Sequence, residues 1–444
     1  MGHHRSVAEG AEWRVAIRAL GSRNYRLFFS GQSVSLIGTW MTRVATAWLV
    51  YRLTHSAFLL GLSSFVGQAP SFFLSPVAGV WIDRWNRHRT LVVTQILSMV
   101  QSFALAVLAL TGVITVWEVI LLMLFQGLIN AFDMPARQSF VIQMVEHRTD
   151  LSNAIALNSS MVNAARMIGP AVAGVLIAAV GEGYCFLADG LSYMAVIASL
   201  LMMKLPPPRP RGPARHVLDE LTEGWRYVTG SLPIRSILVL LGTISLFGMP
   251  YTVLMPVFAA RVLHGGAHTL GTLMAAIGVG ALFGAFRLAQ RRTVLGLGRM
   301  IPLAAAIFGA ALIGFALSRI LWVSLPLLVV AGFGMMTQMA SSNTILQTIV
   351  EEEKRGRVMA YYAMAFAGMA PFGSLLAGSL AARFGAPNTV IVSGSVCLLV
   401  ALWFARRLPA IRAKIRPVYI QLGIIPEVAA GIQNATMLQT PEEN

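Results

Sequence analysis

The sequence predicts an all-α membrane protein whose twelve transmembrane helices form two pseudo-symmetric six-helix bundles, and three observations carry that expectation. Hydrophobic residues make up 56% and charged residues 12% of the 444, against roughly 25% charged in an average globular chain. Turns bearing Arg, Gly or Pro cut the apolar material into segments of about 20 residues, each long enough to cross a ~30 Å hydrocarbon core. The longest polar gap inside the array, residues 204–234, divides these segments six and six.

The expected spans are 27–51, 57–82, 91–111, 115–136, 155–180 and 184–203 in the first half, and 235–259, 269–289, 300–318, 322–343, 358–382 and 388–405 in the second. They set the division into an N-terminal segment 1–23, a first bundle 24–203, a linker 204–234, a second bundle 235–406 and a tail 407–444. The net charge of +16 follows the same layout. All lysines and arginines except Arg52, Arg261, Arg319, Arg383, Arg43 and Arg166 fall at the two ends of the chain or in alternate turns. That bias places both termini in the cytoplasm of a multi-pass inner-membrane protein. It makes the basicity a topology signal and argues against nucleic acid as a partner. No cleavable signal is expected before the first span, and Trp13–Leu20 could lie as a short amphipathic helix on the inner leaflet.

In the first span, Gln32, Ser35, Thr39, Thr42 and Thr46 follow steps of 3, 4, 3 and 4, one polar stripe along a helix, with Arg43 beside it. A charge at that depth faces protein or water rather than lipid. Between spans two and three, Gly79 to Thr90 holds Asp83 with Arg84, Arg87 and Arg89 in a tight turn that makes the spans antiparallel. Gly79 admits a neighbouring backbone, and Asp83 needs an arginine or a helix N-terminus as partner. Such a cluster can latch two bundles together; the alternative is an ordinary arginine-rich turn.

The fourth span repeats the stripe in Gln126, Asn130, Asp133 and Arg137, at steps of 4, 3 and 4, and the tenth has Gln338, Ser341 and Ser342. Three striped helices predict a shared wet interior, whereas any one alone could be polar glue between packed helices. The fifth span carries Arg166 near mid-membrane, then Gly169, Pro170 and Gly174, which weaken the helix and admit a close neighbour. Asp189 in the sixth span matches the depth of Arg43 and Arg166, and pairing with one of them is expected. Asp189 and Asp133 are also the candidates for carrying protons.

Residues 206–210 form a proline-rich, semi-rigid linker, followed by an amphipathic stretch around Val217–Val228. The halves echo each other. Val145-Glu146 and Val350-Glu351 lie 205 residues apart, and each precedes a span interrupted by proline, at Pro170 and Pro371. Parallel repeats of this kind mark a transporter. The second half has few interior ionisable groups; Tyr251, Gln338, Tyr361 and Tyr362, with Thr252, Met255, Met364, Phe366 and Phe372, suit an apolar or aromatic ligand. The predicted central cavity is therefore Gln32, Thr39, Arg43, Gln126, Asn130, Arg166, Tyr251, Gln338, Tyr361 and Tyr362. After the last span, Arg406, Arg407, Arg412, Lys414 and Arg416 form a basic patch suited to anionic headgroups.

Cys185 and Cys397 are expected to be packing residues. No metal site, cofactor, nucleophile–base pair or G-x-x-x-x-G-K-[ST] loop is present in the sequence. The expectation is a monomeric transporter and not an enzyme.

Residues Gly79, Asp83, Arg84 and Arg87, on twelve spans in two halves, resemble the major facilitator superfamily and its G-x-x-x-D-R-x-x-R loop. Trp81 and Asn86 depart from the commoner aliphatic and glycine. Gly169, Pro170 and Gly174 are similar to the span-five motif of proton-coupled exporters, with Ala173 in place of one glycine. Asn24-Tyr25-Arg26-Leu27-Phe28, Gly38-Thr39-Trp40-Met41, Phe132 to Gln138 and Arg355 to Val358 resemble the branch containing enterobactin exporters and macrolide efflux proteins. The resemblance implies a latch of Gly79, Asp83, Arg84, Arg87, Asp133, Arg137 and Arg357, with Asp83 facing the turn at Arg357 and Arg87 pairing with Asp133. It implies alternating access and proton-coupled export of a small drug-like or siderophore molecule. Uptake of an anionic compound and a non-transporting sensor or assembly subunit are the alternatives.

Overall fold

The computed structural model describes residues 18–204, 217–291 and 293–425, and within them the side chains at 75–77, 79, 80, 83, 84, 148 and 217–222 lie outside the description. The expectations for Trp13–Leu20 before Arg18, for the proline linker and for the end of the tail therefore fall outside it, as do the side chains of Gly79, Asp83 and Arg84.

The described chain is helical throughout, with no strand. The first half is α1 (Arg23–Thr54), α2 (Ala57–Arg84), α3 (Arg87–Leu110), α4 (Val116–Met144), α5 (Leu151–Val180) and α6 (Glu182–Leu201). A linker helix α7 (Val217–Gly230) leads to α8 (Leu232–Val262), α9 (Ala267–Ala289), α10 (Leu297–Leu317), α11 (Leu321–Ile349), α12 (Glu352–Phe384) and α13 (Ala386–Gln421). Eleven of these helices are long and apolar enough to cross a membrane. The twelfth, α1, is 32 residues long, and its polar stripe is what lowers its hydropathy.

Local signals explain the boundaries. Thr115 and Glu118 form a capping box at the start of α4, with the Thr115 N–H donating to the Glu118 carboxylate at 2.6 Å. Asn86 caps α3 by accepting from the Arg89 N–H at 3.1 Å. α8 is not uniform: it passes through wide π turns at Ile244–Gly248 and Phe258–Val262, with Pro250 and Pro256 between them, and α12 has a π turn at Met364–Gly368.

Packing repeats between halves. In the first, α1 packs on α5 and α6, α2 on α4, and α3 on α4 and α6; in the second, α8 packs on α12 and α13, α9 on α11, and α10 on α11 and α13. These are the same pairings six spans later. The halves meet along α2 with α12 and α5 with α9, again a symmetric pair. The last helix differs from the expected boundary at 406: α13 runs on to Gln421 with Ile411, Ile415 and Tyr419 buried. Those residues stand at i, i+4 and i+8, so an amphipathic extension packs back on the second half rather than leaving it.

Candidate functional site

The bundle has a terminal face, where α1 starts and α13 ends, and an opposite face, here called the far face. Contacts between the halves concentrate toward the far face, and glycine makes them possible. A Cβ on Gly271 would stand 2.5 Å from the Gly174 Cα, and one on Gly61 would stand 2.5 Å from the Ser374 carbonyl oxygen and 2.8 Å from the Gly378 Cα. Backbones at α5–α9 and α2–α12 therefore touch, with no room for a side chain. Ser64 donates to the Ser374 hydroxyl at 3.2 Å, and Arg261 donates to the His55 carbonyl at 3.1 Å while lying 5.9 Å from the Tyr51 ring. One layer deeper, Phe65, Phe72 and Phe73 surround Phe372, with centroids 5.5 to 6.2 Å away. Nearer the terminal face, no hydrogen bond or ion pair joins α1–α6 to α8–α13 among the described residues.

Beneath this seal lie the two arginines of the spans. The guanidinium of Arg43 stands 4.6 Å from the Trp40 ring centroid and that of Arg166 stands 5.1 Å from it, so one indole from α1 supports both cations. Gly169 makes the approach possible: a Cβ there would meet the Trp40 Cβ at 2.5 Å and the Ile37 carbonyl oxygen at 2.9 Å. Arg43 is exposed and Arg166 partly so, and Nε of Arg166 has no hydrogen-bond partner. Arg166 is also within electrostatic reach of Arg43 and of Tyr251 from the second half. No carboxylate forms an ion pair with either arginine among the described residues. Two like charges thus share one ring.

This corrects the expected partner of Asp189. Its carboxylate accepts from Ser102 at 2.9 Å and packs against Gly38, on another side of α1 from the arginines. Matched depth along the membrane axis says nothing about rotation around it. The pairing of Asp133 also differs from the expectation. Asp133 is bound by Arg137 one turn on, by Thr94 at 2.8 Å and by Gln95 at 2.7 Å, while Arg87 donates to the Ser139 carbonyl at 3.2 Å. A residue on the same helix four positions away reaches the acid without any tertiary adjustment.

The remaining candidates separate. Thr39, Gln126 and Asn130 are half-buried, and Gln126 donates to Asn130 and to Ser98 of α3, a bond inside the first half. Gln32, Tyr251, Gln338 and Tyr362 are buried; Gln338 donates to Ser342, and Tyr362 donates to the Met339 carbonyl. Tyr361 does not join a central cavity: its ring lies 6.0 Å from that of Trp225 on α7. Arg357 forms an ion pair at 2.6 Å with Glu223 of α7, and Lys354 stands 4.7 Å over the Tyr227 ring, so the linker helix is held on the start of α12. Gly169 and Gly174 both serve helix crossings, onto α1 and α9 respectively, with Pro170 buried between them.

Sequence reasoning missed Trp40 as a shared support, the Phe65–Phe72–Phe73 cluster and the partners Gly61, Gly271 and Gly378. Trp40 had a signal, since it precedes Arg43 by three residues and so shares its helix face. The described residues contain no group of His, Cys, Asp and Glu able to hold a metal ion, and both cysteines are buried and free.

A family model described as transmembrane secretion effector matches residues 16–421. The chain is 26% identical over 393 residues to the staphyloferrin A transporter of Staphylococcus aureus, covering 86% of this chain and 96% of that one. It is 26% identical over 381 residues to the enterobactin exporter EntS of Citrobacter koseri, covering 85% and 90%. It is 25% identical over 375 residues to the multidrug efflux pump Tap of Mycolicibacterium fortuitum, covering 82% and 91%. Among solved structures, a bacterial homologue of the human lysosomal transporter Spinster in an inward-facing, unoccupied conformation superposes with a TM-score of 0.70 at 13% identity, covering 88% and 97%. The POT family transporter PepTSo gives 0.66 at 14%, covering 88% and 99%. At those identities the structures establish a shared fold.

Proposed function

From the premise that the chain belongs to the transmembrane secretion effector family of major facilitator transporters, we propose that it is a proton-coupled exporter of a small organic molecule carrying negative charge. The observation that carries this reading is the pair Arg43 and Arg166 on the Trp40 ring, without a carboxylate partner among the described residues. Uncompensated intramembrane cations mark a substrate path, and a flat or acidic ligand satisfies both the charges and the ring. Siderophores fall in this chemical class, and two of the relatives are named for staphyloferrin A and enterobactin.

The far-face contacts, and the absence of bonds between the halves nearer the terminal face among the described residues, support a state open on the terminal side, which the excess of arginine there makes the cytoplasmic side. Rocking the halves about the arginine pair then moves the ligand outward. Asp189, buried and bonded by a hydroxyl rather than a cation, is the proton carrier in this reading. The loop residues Gly79, Asp83, Arg84 and Arg87 act with Arg357 as the latch of the opposite state, which requires Arg357 to leave Glu223. The protein works as a monomer.

Everted membrane vesicles test the reading. With the interior acidified, vesicles containing the protein are expected to accumulate enterobactin, staphyloferrin A or the anionic dye fluorescein above control vesicles, and to lose the gain on adding an uncoupler. Accumulation of the cation ethidium in place of the anions contradicts the substrate class. Uncoupler-insensitive flux of the anions contradicts proton coupling. Release of preloaded anion on acidification reverses the direction and makes the protein an importer.

A further inference from the structure

The extension of α13 past residue 406 borders an open-sided cavity of about 540 Å³ at the terminal face of the second half, whose lining includes neither Arg43 nor Arg166. Its walls are apolar, with Ile237 from α8, Ile345 from α11, and Phe404 and Ile415 from α13. Three exposed arginines border it: Arg299 near the start of α10, and Arg412 and Arg416 one turn apart on α13. Among the described residues no acidic side chain contributes to its walls. None of the three arginines takes part in an ion pair with a described residue. The cavity volume falls in the range of about 300–1,000 Å³ that holds small ligands.

We propose that this cavity binds one anionic phospholipid, its phosphate held by Arg299, Arg412 and Arg416 and an acyl chain laid against the isoleucines. Charge complementarity selects the headgroup, because three cations with no ion-pair partner among the described residues line one cavity, and no described carboxylate does. The apolar walls select the rest of the molecule, because a soluble phosphate leaves them wet whereas an acyl chain covers them. Basic pockets between helices on the cytoplasmic side are a recurrent form of headgroup site. The lipid fastens the end of α13 to the starts of α8 and α10, and so braces the second half during rocking.

Native mass spectrometry of the full-length protein, incubated in detergent with phosphatidylglycerol or phosphatidylcholine, tests the proposal. The wild type is expected to retain one phosphatidylglycerol per chain and little phosphatidylcholine. Arg412→Gln with Arg416→Gln is expected to lower retention at least about tenfold, or ~1.4 kcal/mol. Gly298→Leu tests the apolar part without changing charge: a Cβ there meets only Leu408, at 3.6 Å, so the helix tolerates it while the cavity fills. Arg406→Gln with Arg407→Gln, outside the cavity walls, is expected to retain the lipid. Equal retention of both lipids, or of phosphatidylglycerol by the wild type and by both cavity variants, overturns the proposal. So does retention seen only after Glu427→Gln, Glu442→Gln and Glu443→Gln together, which assigns the arginines to the acidic tail of this chain.

Discussion

The indole of Trp40 is the smallest unit on which the account depends. Replacing it with alanine removes the support of both guanidiniums, and transport of a recognised anion is expected to fall about tenfold, in keeping with ~0.5–2 kcal/mol for a desolvated cation–π contact. Trp40→Phe keeps a ring and most of the flux; vesicle uptake normalised to protein content separates the two variants. Asp189→Asn preserves an oxygen to accept from Ser102 but removes the titrating proton. Anion exchange across the membrane is expected to persist in that variant while the response to a pH gradient disappears. A variant that still concentrates substrate against the gradient removes Asp189 from the coupling. At this scale the sequence located the charges within the spans but not their partners. Depth follows from counting along a helix, so Arg43, Arg166 and Asp189 were legible. The angle at which two helices present those side chains is set by Gly38 and Gly169 at their crossings, and no pattern within one span reveals it.

At the scale of elements, the crossing of α5 and α9 is the part least tolerant of change. A valine at Gly271 places its Cβ against the Gly174 backbone, so Gly271→Val is expected to force the far-face seal apart. Flux should fall to background while the protein remains in the membrane, and a cysteine at Val262 should become open to impermeant thiol reagents. In the first half, Arg137→Gln leaves Asp133 with Thr94 and Gln95 but without its cation; the Asp133 side chain is 8% accessible and that of Arg137 24%. The expected loss is about 3 kcal/mol, at the low end for a broken buried pair because one partner is partly solvated. A melting curve in detergent measures it, and adding Asp133→Asn should return most of the stability. The spans themselves were legible from hydropathy and turn residues, whereas the Asp133–Arg137 pair took the place of the expected Arg87–Asp133 pair although its spacing of four was in plain view. Tyr361 was misplaced because its polar edge reads the same whether it faces a cavity or the linker helix, and only the docking of Trp225 decides.

The whole molecule is two copies of one packing scheme joined by two symmetric seams, α2 with α12 and α5 with α9. The repeat was visible in Val145-Glu146 and Val350-Glu351 and in the prolines that follow them, since a duplicated chain keeps its turns in register. Which face is closed was not visible, because both states use the same helices and differ only in how far the halves tilt. The central claim is that they tilt, and spin labels read it directly. With Cys185→Ala and Cys397→Ala as background, one pair carries Glu146→Cys and Glu351→Cys on the terminal face, and another carries Thr111→Cys and Arg319→Cys on the far face. Electron–electron resonance distances should show two populations at each face, and acidification or an anionic ligand should shorten the terminal distance while lengthening the far one. A single unchanging distance at both faces under every condition would contradict the account.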